Sequence, residues 1–445
     1  MKKHMLKYIS EPSKEDSGLR GVLRRNHMNA PQEFQCSSDD VQHAIILSGN
    51  GAYAAYEIGI MKALIHGMCA STHHRPIRPE IYTGTSVGAL NAAMIVSGAD
   101  ESDVAAIENL ERLWFTHVAE SMRGVNGIFR FRTNPFDYFR PAFYLPNPLT
   151  PLLDLGRDTI YFSQEFIKRT AVFLTSLQTF PSLEDIVELF DISLLTDFSP
   201  LKQLVREVID PEKIRRSRKK LRITAANWKE GAPKVFTNTD LGGKEGYQAF
   251  VAALMIPGIN TPELVDMEQF VDGAVLTSRP LKPAIDARDR NPNRRLVLHI
   301  VYLDPEHAQT PLPEIRSTFA MIYRLYVLAF SRSVNADIER ARDINKSLQT
   351  LALLREDDPE PLASSAMGQR GSESLKLWQR LNKDTADSVQ LEIHRYRSPE
   401  HLGGIRALFQ VDQTRVQDLI DRGYKDAQNH DCRQSDCVRL LESEP

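Results

Sequence analysis

Three short stretches of the chain hold residue types that can do acyl or phosphoryl chemistry. The first, GTSVG at Gly84 to Gly88, fits G-x-S-x-G and puts Ser86 on a sharp strand-to-helix turn. A nucleophile there must protrude, so its neighbours must be small, and Gly84 and Gly88 meet that need. Ser86 would sit at a helix N-terminus, where amides and the helix dipole favour negative charge. Taken alone, the same turn is also compatible with a purely structural role. The second stretch, GNGAYA at Gly49 to Ala54, follows the apolar run HAIIL and opens a helical pattern. As a dinucleotide fingerprint it requires an acid at the end of the next strand. That strand, EIYTGTS, ends instead in the serine turn, and its acid, Glu80, comes before it. A P-loop is excluded because no G-K-[ST] follows. The other reading is an oxyanion hole, in which glycines expose backbone amides to a bound carbonyl and each donor is worth roughly 3–4 kcal/mol. The third stretch, FVDGAV, ends a short apolar run at Asp272 and turns at Gly273, although a lone Asp-Gly is a common turn signal.

A serine nucleophile needs a base. The chain has 12 histidines, so a Ser-His-Asp triad is not excluded by counting. His299, in the apolar LVLHIVYL, reads as a core histidine, whereas His394, in LEIHRYR, stays an open candidate. Four cysteines occur: Cys36, Cys69, Cys432 and Cys437. They form no dense disulfide framework, which fits a reducing compartment. Cys432 and Cys437 lie near His430, but their spacing matches no common zinc pattern, so no metal site is expected.

The elements that must position these residues follow from hydropathy. HAIILSG reads as a buried parallel strand, AAYEIGIMKALIHG as a buried helix, EIYTGTS as a second strand and VGALNAAMIVSG as a small-residue helix. This βαβα order predicts a mostly parallel α/β sheet, with both turns at its C-terminal edge. Helical patterns separated by prolines dominate from about 115 to 195. Strands return at KLRITAANW, APKVFTN, QFVDG and RRLVLHIVYLD, then a late strand at SVQLEIHRYR and a terminal helix at TRVQDLIDRGYKDA.

Composition sets outer bounds. With 445 residues, 42% apolar and 25% charged, the chain is ordinary for a soluble protein, and a net charge of −3 gives no basic field for nucleic acid. The first 40 residues are mixed in charge, broken by Pro12 and Pro31, and contain no h-region; they read as a flexible arm. No apolar run is long enough to span a bilayer, so a cytoplasmic location with peripheral membrane contact is the expectation.

In order, SGNGAYAAYEIGIMKAL, YTGTSVGALNA and FVDGAVLTSRPL resemble the patatin-like phospholipase family, with AALMIPGINTPELV similar to the stretch ahead of its aspartate. The resemblance covers about 42–305. It implies a three-layer α/β/α sandwich at 41–305, a helical insertion at about 115–195 and a mostly helical C-terminal region at 306–445. It also implies a Ser-Asp dyad, with Ser86 as nucleophile and Asp272 as proton acceptor. The oxyanion loop would comprise Gly49, Asn50, Gly51 and Ala52, with donors at Asn50 and Gly51. Gly84, Gly88 and Gly273 would support the turns, and neither metal nor cofactor is implied. The expected activity is hydrolysis of fatty-acyl esters of phospholipid or another acyl lipid. A Ser-His-Asp esterase on a non-lipid ester and a catalytically weak lipid-binding or scaffolding protein are the alternatives.

The chain departs from the family loop G-G-G-x-[RK]-G at two positions. Asn50 replaces the middle glycine, and Asn tolerates positive φ. Tyr53 replaces the basic residue, which is expected to remove a positive charge near the oxyanion or a lipid phosphate. Ala54 still allows close helix packing, and Ser278 stands where the family usually has Asn. Phe129, Phe131, Phe136, Tyr138, Phe139, Phe143, Tyr144 and Leu145 read first as insertion core and second as an acyl channel. The basic run Arg215 to Arg222 reads first as a solvated linker, and AMIYRLYVLAF as core rather than lid.

Overall fold

Apolar runs of strand length and small-residue turns give an eight-stranded sheet with helices on both faces. The computed structural model describes residues 41–49, 51–98, 102–119, 130–132, 149–176, 196–257, 260–277, 280–291, 294–302, 318–356, 390–400, 402 and 411–440. The expected N-terminal arm, Asn50, Ser278 and most of the expected insertion lie outside these residues. So do the insertion aromatics named above, apart from the backbone of Phe131.

The chain begins β1 (Val41–Leu47), α1 (Ala54–Ile65), β2 (Pro79–Gly84), α2 (Ser86–Gly98) and α3 (Asp103–Leu113). Next come β3 (Arg130–Phe131), α4 (Leu149–Ser176), β4 (Thr196–Asp197), α5 (Ser199–Val208), α6 (Pro211–Arg216), β5 (Lys220–Asn227) and β6 (Ala232–Thr237). Then follow α7 (Asn238–Leu241), α8 (Gly246–Ala252), β7 (Glu263–Val265), β8 (Glu268–Asp272), α9 (Lys282–Asp286) and β9 (Arg295–Val301). The last described elements are α10 (Thr318–Glu356), β10 (Leu391–Tyr396) and α11 (Gln413–Gln428). The sheet order is β10-β9-β1-β2-β5-β8-β7, with β6 also paired to β5. Strands β10, β9, β1, β2 and β5 run parallel. Antiparallel pairing joins β6 and β8 to β5 and β7 to β8.

Side-chain alternation along β1 sorts two cores. Ile45 and Leu47 pack with α1, α2, α3 and α11 on one face, and Ala44 and Ile46 with α9 and α10 on the other. This is the expected α/β/α sandwich. With both faces covered, β1 reads as a continuous apolar run, and each large side chain it withdraws from water contributes about 1.5–3 kcal/mol. Helix α1 shows no polar face because α11 covers its outer side: a Cβ on Gly59 would lie 2.0 Å from Ile420 O, and one on Gly423 2.2 Å from Tyr56 O. The C-terminal region thus supplies both the edge strand β10 and the helix that seals α1.

Register determines where the strand ends meet. Strand β6 pairs along Arg222 to Asn227 of β5, overlapping the β2 pairs at Arg222 and Ile223 and the β8 pairs at Ala225 to Asn227. A strand has only two edges, so β2 and β8 share the edge opposite β6. There Gly84 pairs with Ile223 and Asp272 with Ala225, two residues further along β5.

The basic run is largely neutralised: Arg215 and Arg216 pair with Glu212 at 2.8 and 3.4 Å, Lys219 with Asp103 at 2.6 Å, and Lys220 with Asp289 at 2.7 Å. Among the described residues no helix is long and apolar enough to cross a membrane.

Candidate active site

The serine turn is tied to the loop after β1. The Thr85 amide donates to Leu47 O and the Thr85 hydroxyl to Ser48 O, both at 3.2 Å. Ser86 opens α2 with φ +53°, the left-handed region that an L-residue enters at a cost and that strand-to-helix elbows impose on a protruding side chain. It is only 2% exposed. Gly49 and Gly88 bring the two turns into backbone contact: a Cβ at Gly49 would lie 2.7 Å from Gly88 N and 2.8 Å from Thr85 O.

Asp272 ends β8 fully buried. Its amide donates to Met255 O at 2.8 Å, and its Oδ1 accepts the Ala274 amide at 3.0 Å across the turn at Gly273. Burial pushes its pKa up to about 6, against the pull of the Ala274 amide, the Ser86 hydroxyl, the Tyr326 hydroxyl and the Ser86 amide. The Ser86 and Asp272 turns face each other from the ends of β2 and β8, and Oδ2 makes no hydrogen bond of regular geometry. The structure thus brings Ser86, Asp272, Gly49, Gly84, Gly88 and Gly273 together around the meeting of β2 and β8.

The glycine loop rests on a buried carboxyl group that the motifs alone do not reveal. Gly49, at φ +81°, donates its amide to Glu57 Oε1 at 2.7 Å. Asn91 Nδ2 donates to Glu57 Oε2 and to Ala54 O, both at 3.0 Å, and Asn91 Oδ1 accepts from Trp114 Nε1 at 2.8 Å. Burial raises the Glu57 pKa to about 8, opposed by hydrogen bonds from Gly49, Asn91 and Ser48. Gly49 therefore shapes the loop with an amide already engaged. Gly51, at φ +61°, and buried Ala52 continue it into a single 3₁₀ turn, Gly51–Tyr53, ahead of α1. One face of the site is the loop, another the elbow, and the third the aspartate.

These elements fall inside a single family match: residues 45–285 match patatin-like phospholipase. The chain belongs to the patatin-like phospholipase family. Similar solved structures include VipD from Legionella pneumophila, 13% identical with a TM-score of 0.32, covering 88% of this chain and 66% of that one. ExoU, in its heterodimeric complex with SpcU from the type III secretion system of Pseudomonas aeruginosa, is 15% identical with a TM-score of 0.25, covering 89% of this chain and 70% of that one. The chain thus spans just under two thirds of VipD. No curated protein matches it.

Tyr53 stands where the family loop has a basic residue. It is buried in the core, where desolvation raises its pKa to about 12 against a nearby Arg415. The side chain that replaces the family's cation therefore packs inward. His299 and His394 also have other partners. His299 Nε2 meets His43 Nδ1 and His299 Nδ1 meets the Tyr396 hydroxyl, each at 3.1 Å. His394 Nδ1 lies 3.5 Å from Cys432 Sγ and Nε2 lies 3.2 Å from Glu392 Oε1. Sequence reasoning missed Glu57, Asn91, Trp114 and Tyr326. A glutamate within the otherwise apolar AAYEIGIMKALI was the one available signal.

Proposed function

We propose that this protein is a serine lipid acyl hydrolase that cleaves fatty-acyl esters, with Ser86 as nucleophile and Asp272 as the general base. The observation that carries this reading is the meeting of the serine turn at the end of β2 with the fully buried Asp272 at the end of β8, both on one edge of β5. Asp272 takes the Ser86 proton as Oγ attacks the acyl carbon. The resulting oxyanion is held by the amides of Asn50 and Gly51, and the α2 N-terminus adds favourable potential. Collapse breaks the ester bond, and the departing alcohol takes the proton from Asp272. A water then gives its proton to Asp272 and attacks the acyl-serine. The second collapse returns the proton to Ser86 and frees the fatty acid. A carboxylate with a pKa near 6 is a better proton acceptor than one at the ordinary value, and burial supports that role.

A fluorophosphonate probe is expected to label Ser86. Mass spectrometry of products from mixed phospholipids and neutral lipids is expected to show fatty-acid release by wild type and its loss in Ser86→Ala and Asp272→Asn. Unchanged hydrolysis in both variants overturns the dyad. Lipid binding without turnover by wild type supports the scaffolding alternative instead.

A further inference from the structure

Far along the sheet from Ser86, four metal-ligating side chains converge on the edge strand β10. His394 comes from β10, and His430, Cys432 and Cys437 come from the segment after α11. One ligand atom from each of the four lies within 4.8 Å of all the others. We propose that these residues form a structural zinc site with two thiolate sulfurs and two imidazole nitrogens.

The spacings fit a tetrahedral ion. Zn–N bonds of about 2.0–2.1 Å and Zn–S bonds of about 2.3 Å, at the tetrahedral angle, put N and S roughly 3.6 Å apart. His394 Nδ1 lies 3.5 Å from Cys432 Sγ, and His430 Nε2 lies 3.3 Å from Cys437 Sγ. Two thiolates and two neutral imidazoles balance a divalent charge, and this soft N/S set in tetrahedral array selects zinc over oxygen-seeking cations.

The surroundings hold the ligands in place. Glu392 Oε1 stands 3.2 Å from His394 Nε2, the nitrogen facing away from the cluster, as carboxylate partners of zinc-bound histidines do. The Arg395 amide donates to Cys437 Sγ at 3.3 Å. The segment between the cysteines folds back on itself: Ser435 N donates to Asp431 O and Cys437 N to Cys432 O, both at 2.9 Å. A two-way backbone bridge, Ile393 N to Val438 O at 2.8 Å and Val438 N to Ile393 O at 2.9 Å, then lays the chain along the outer edge of β10. A metal there would lock the C-terminal segment over an edge that would otherwise be open to pairing. Sequence spacing predicts no such site because the fourth ligand comes from a strand well upstream of the other three.

The test is metal analysis of the full chain, purified with reductant and without a metal-affinity step. The expected result is about one zinc per chain, most of it lost in Cys432→Ser and His394→Ala and retained in Cys69→Ser, which changes a buried cysteine outside the four ligands. To separate metal binding from any folding defect of a ligand variant, wild type is also depleted of zinc and titrated with Co²⁺ alone. Intense d–d bands with a thiolate-to-cobalt charge-transfer band are expected. A zinc-free chain that takes up neither ion, or a Cys432–Cys437 disulfide found by mass spectrometry, overturns the site.

Discussion

Gly84 and Asp272 pair with Ile223 and Ala225 on the same edge of β5, so the strands that deliver Ser86 and Asp272 end against each other. The strands that carry the proposed dyad are thereby aligned by ladder hydrogen bonds, and the serine turn is held further by its bonds to the loop after β1. Sites built on strands hold their geometry better than sites built on loops.

The first prediction concerns pH. Asp272, with a pKa raised to about 6, must be ionised to accept a proton, so kcat/KM for an ester substrate is expected to rise through about pH 6 and level off above it. Its effect on folding has the opposite sign. The folded-state pKa lies above the unfolded value, so the stability this group contributes is present at low pH and lost as pH rises through about 6. Asp272→Asn is expected to lower kcat by about 10²–10⁴. At pH 8 the same variant should be more stable than wild type by up to about 2–3 kcal/mol, from a shift of about two pKa units. A flat rate profile between pH 5 and 8, or a less stable variant at pH 8, contradicts this account.

Tyr326 gives a second test of the same carboxylate. Its hydroxyl favours the ionised form of Asp272, so Tyr326→Phe should move the rising limb upward by roughly one pH unit. The plateau rate above that limb should stay within an order of magnitude of wild type. An unmoved limb measured on the same substrate removes Tyr326 from the site.

How much of this was legible depends on the kind of signal each residue leaves. Strands β1 and β2 and helices α1 and α2 were legible because both-sided burial leaves long apolar runs. The Ser86 turn leaves a local signal because it needs small neighbours at fixed offsets, whereas Asp272, in a common Asp-Gly turn, stood out only through the family resemblance. Tyr326 was not, since a tyrosine in an apolar helix looks like any core aromatic. The inward turn of Tyr53 was hidden too: motif alignment gives a position in the loop but not the direction in which its side chain packs. The convergence of His394 with Cys432 and Cys437 depends on chain tracing across the β10 edge, which no local spacing encodes.

The buried glutamate beneath the loop makes the third prediction. Glu57→Ala leaves the Gly49 amide and Asn91 Nδ2 short of an acceptor, at about 1–3 kcal/mol for each stranded group. Loss of loop alignment should lower kcat by about 10²-fold, with a smaller change in KM. The Glu57 pKa, raised to about 8, lies above its unfolded value, so wild-type stability should fall as pH rises through about 8. Glu57→Gln should lose that dependence. Denaturant titrations at pH 7 and 9 check it, and parallel curves for wild type and Glu57→Gln would count against a buried ionisable group.

The contact between the two turns can be measured separately from backbone strain. Gly49 and Gly231 both have positive φ, +81° and +65°, but a Cβ at Gly49 would strike the backbone of Gly88 and Thr85, whereas one at Gly231 meets open space. Gly231→Ala should therefore cost only the conformational term, about 1–2 kcal/mol. Gly49→Ala should cost that plus overpacking, about 2–5 kcal/mol in total, and should abolish turnover. Chemical denaturation of both variants gives the difference. Equal losses would mean that the turns tolerate separation and that the loop does not depend on backbone contact with the serine elbow. A larger loss at Gly49, with activity gone, would show that the elbow and the loop act as one rigid unit.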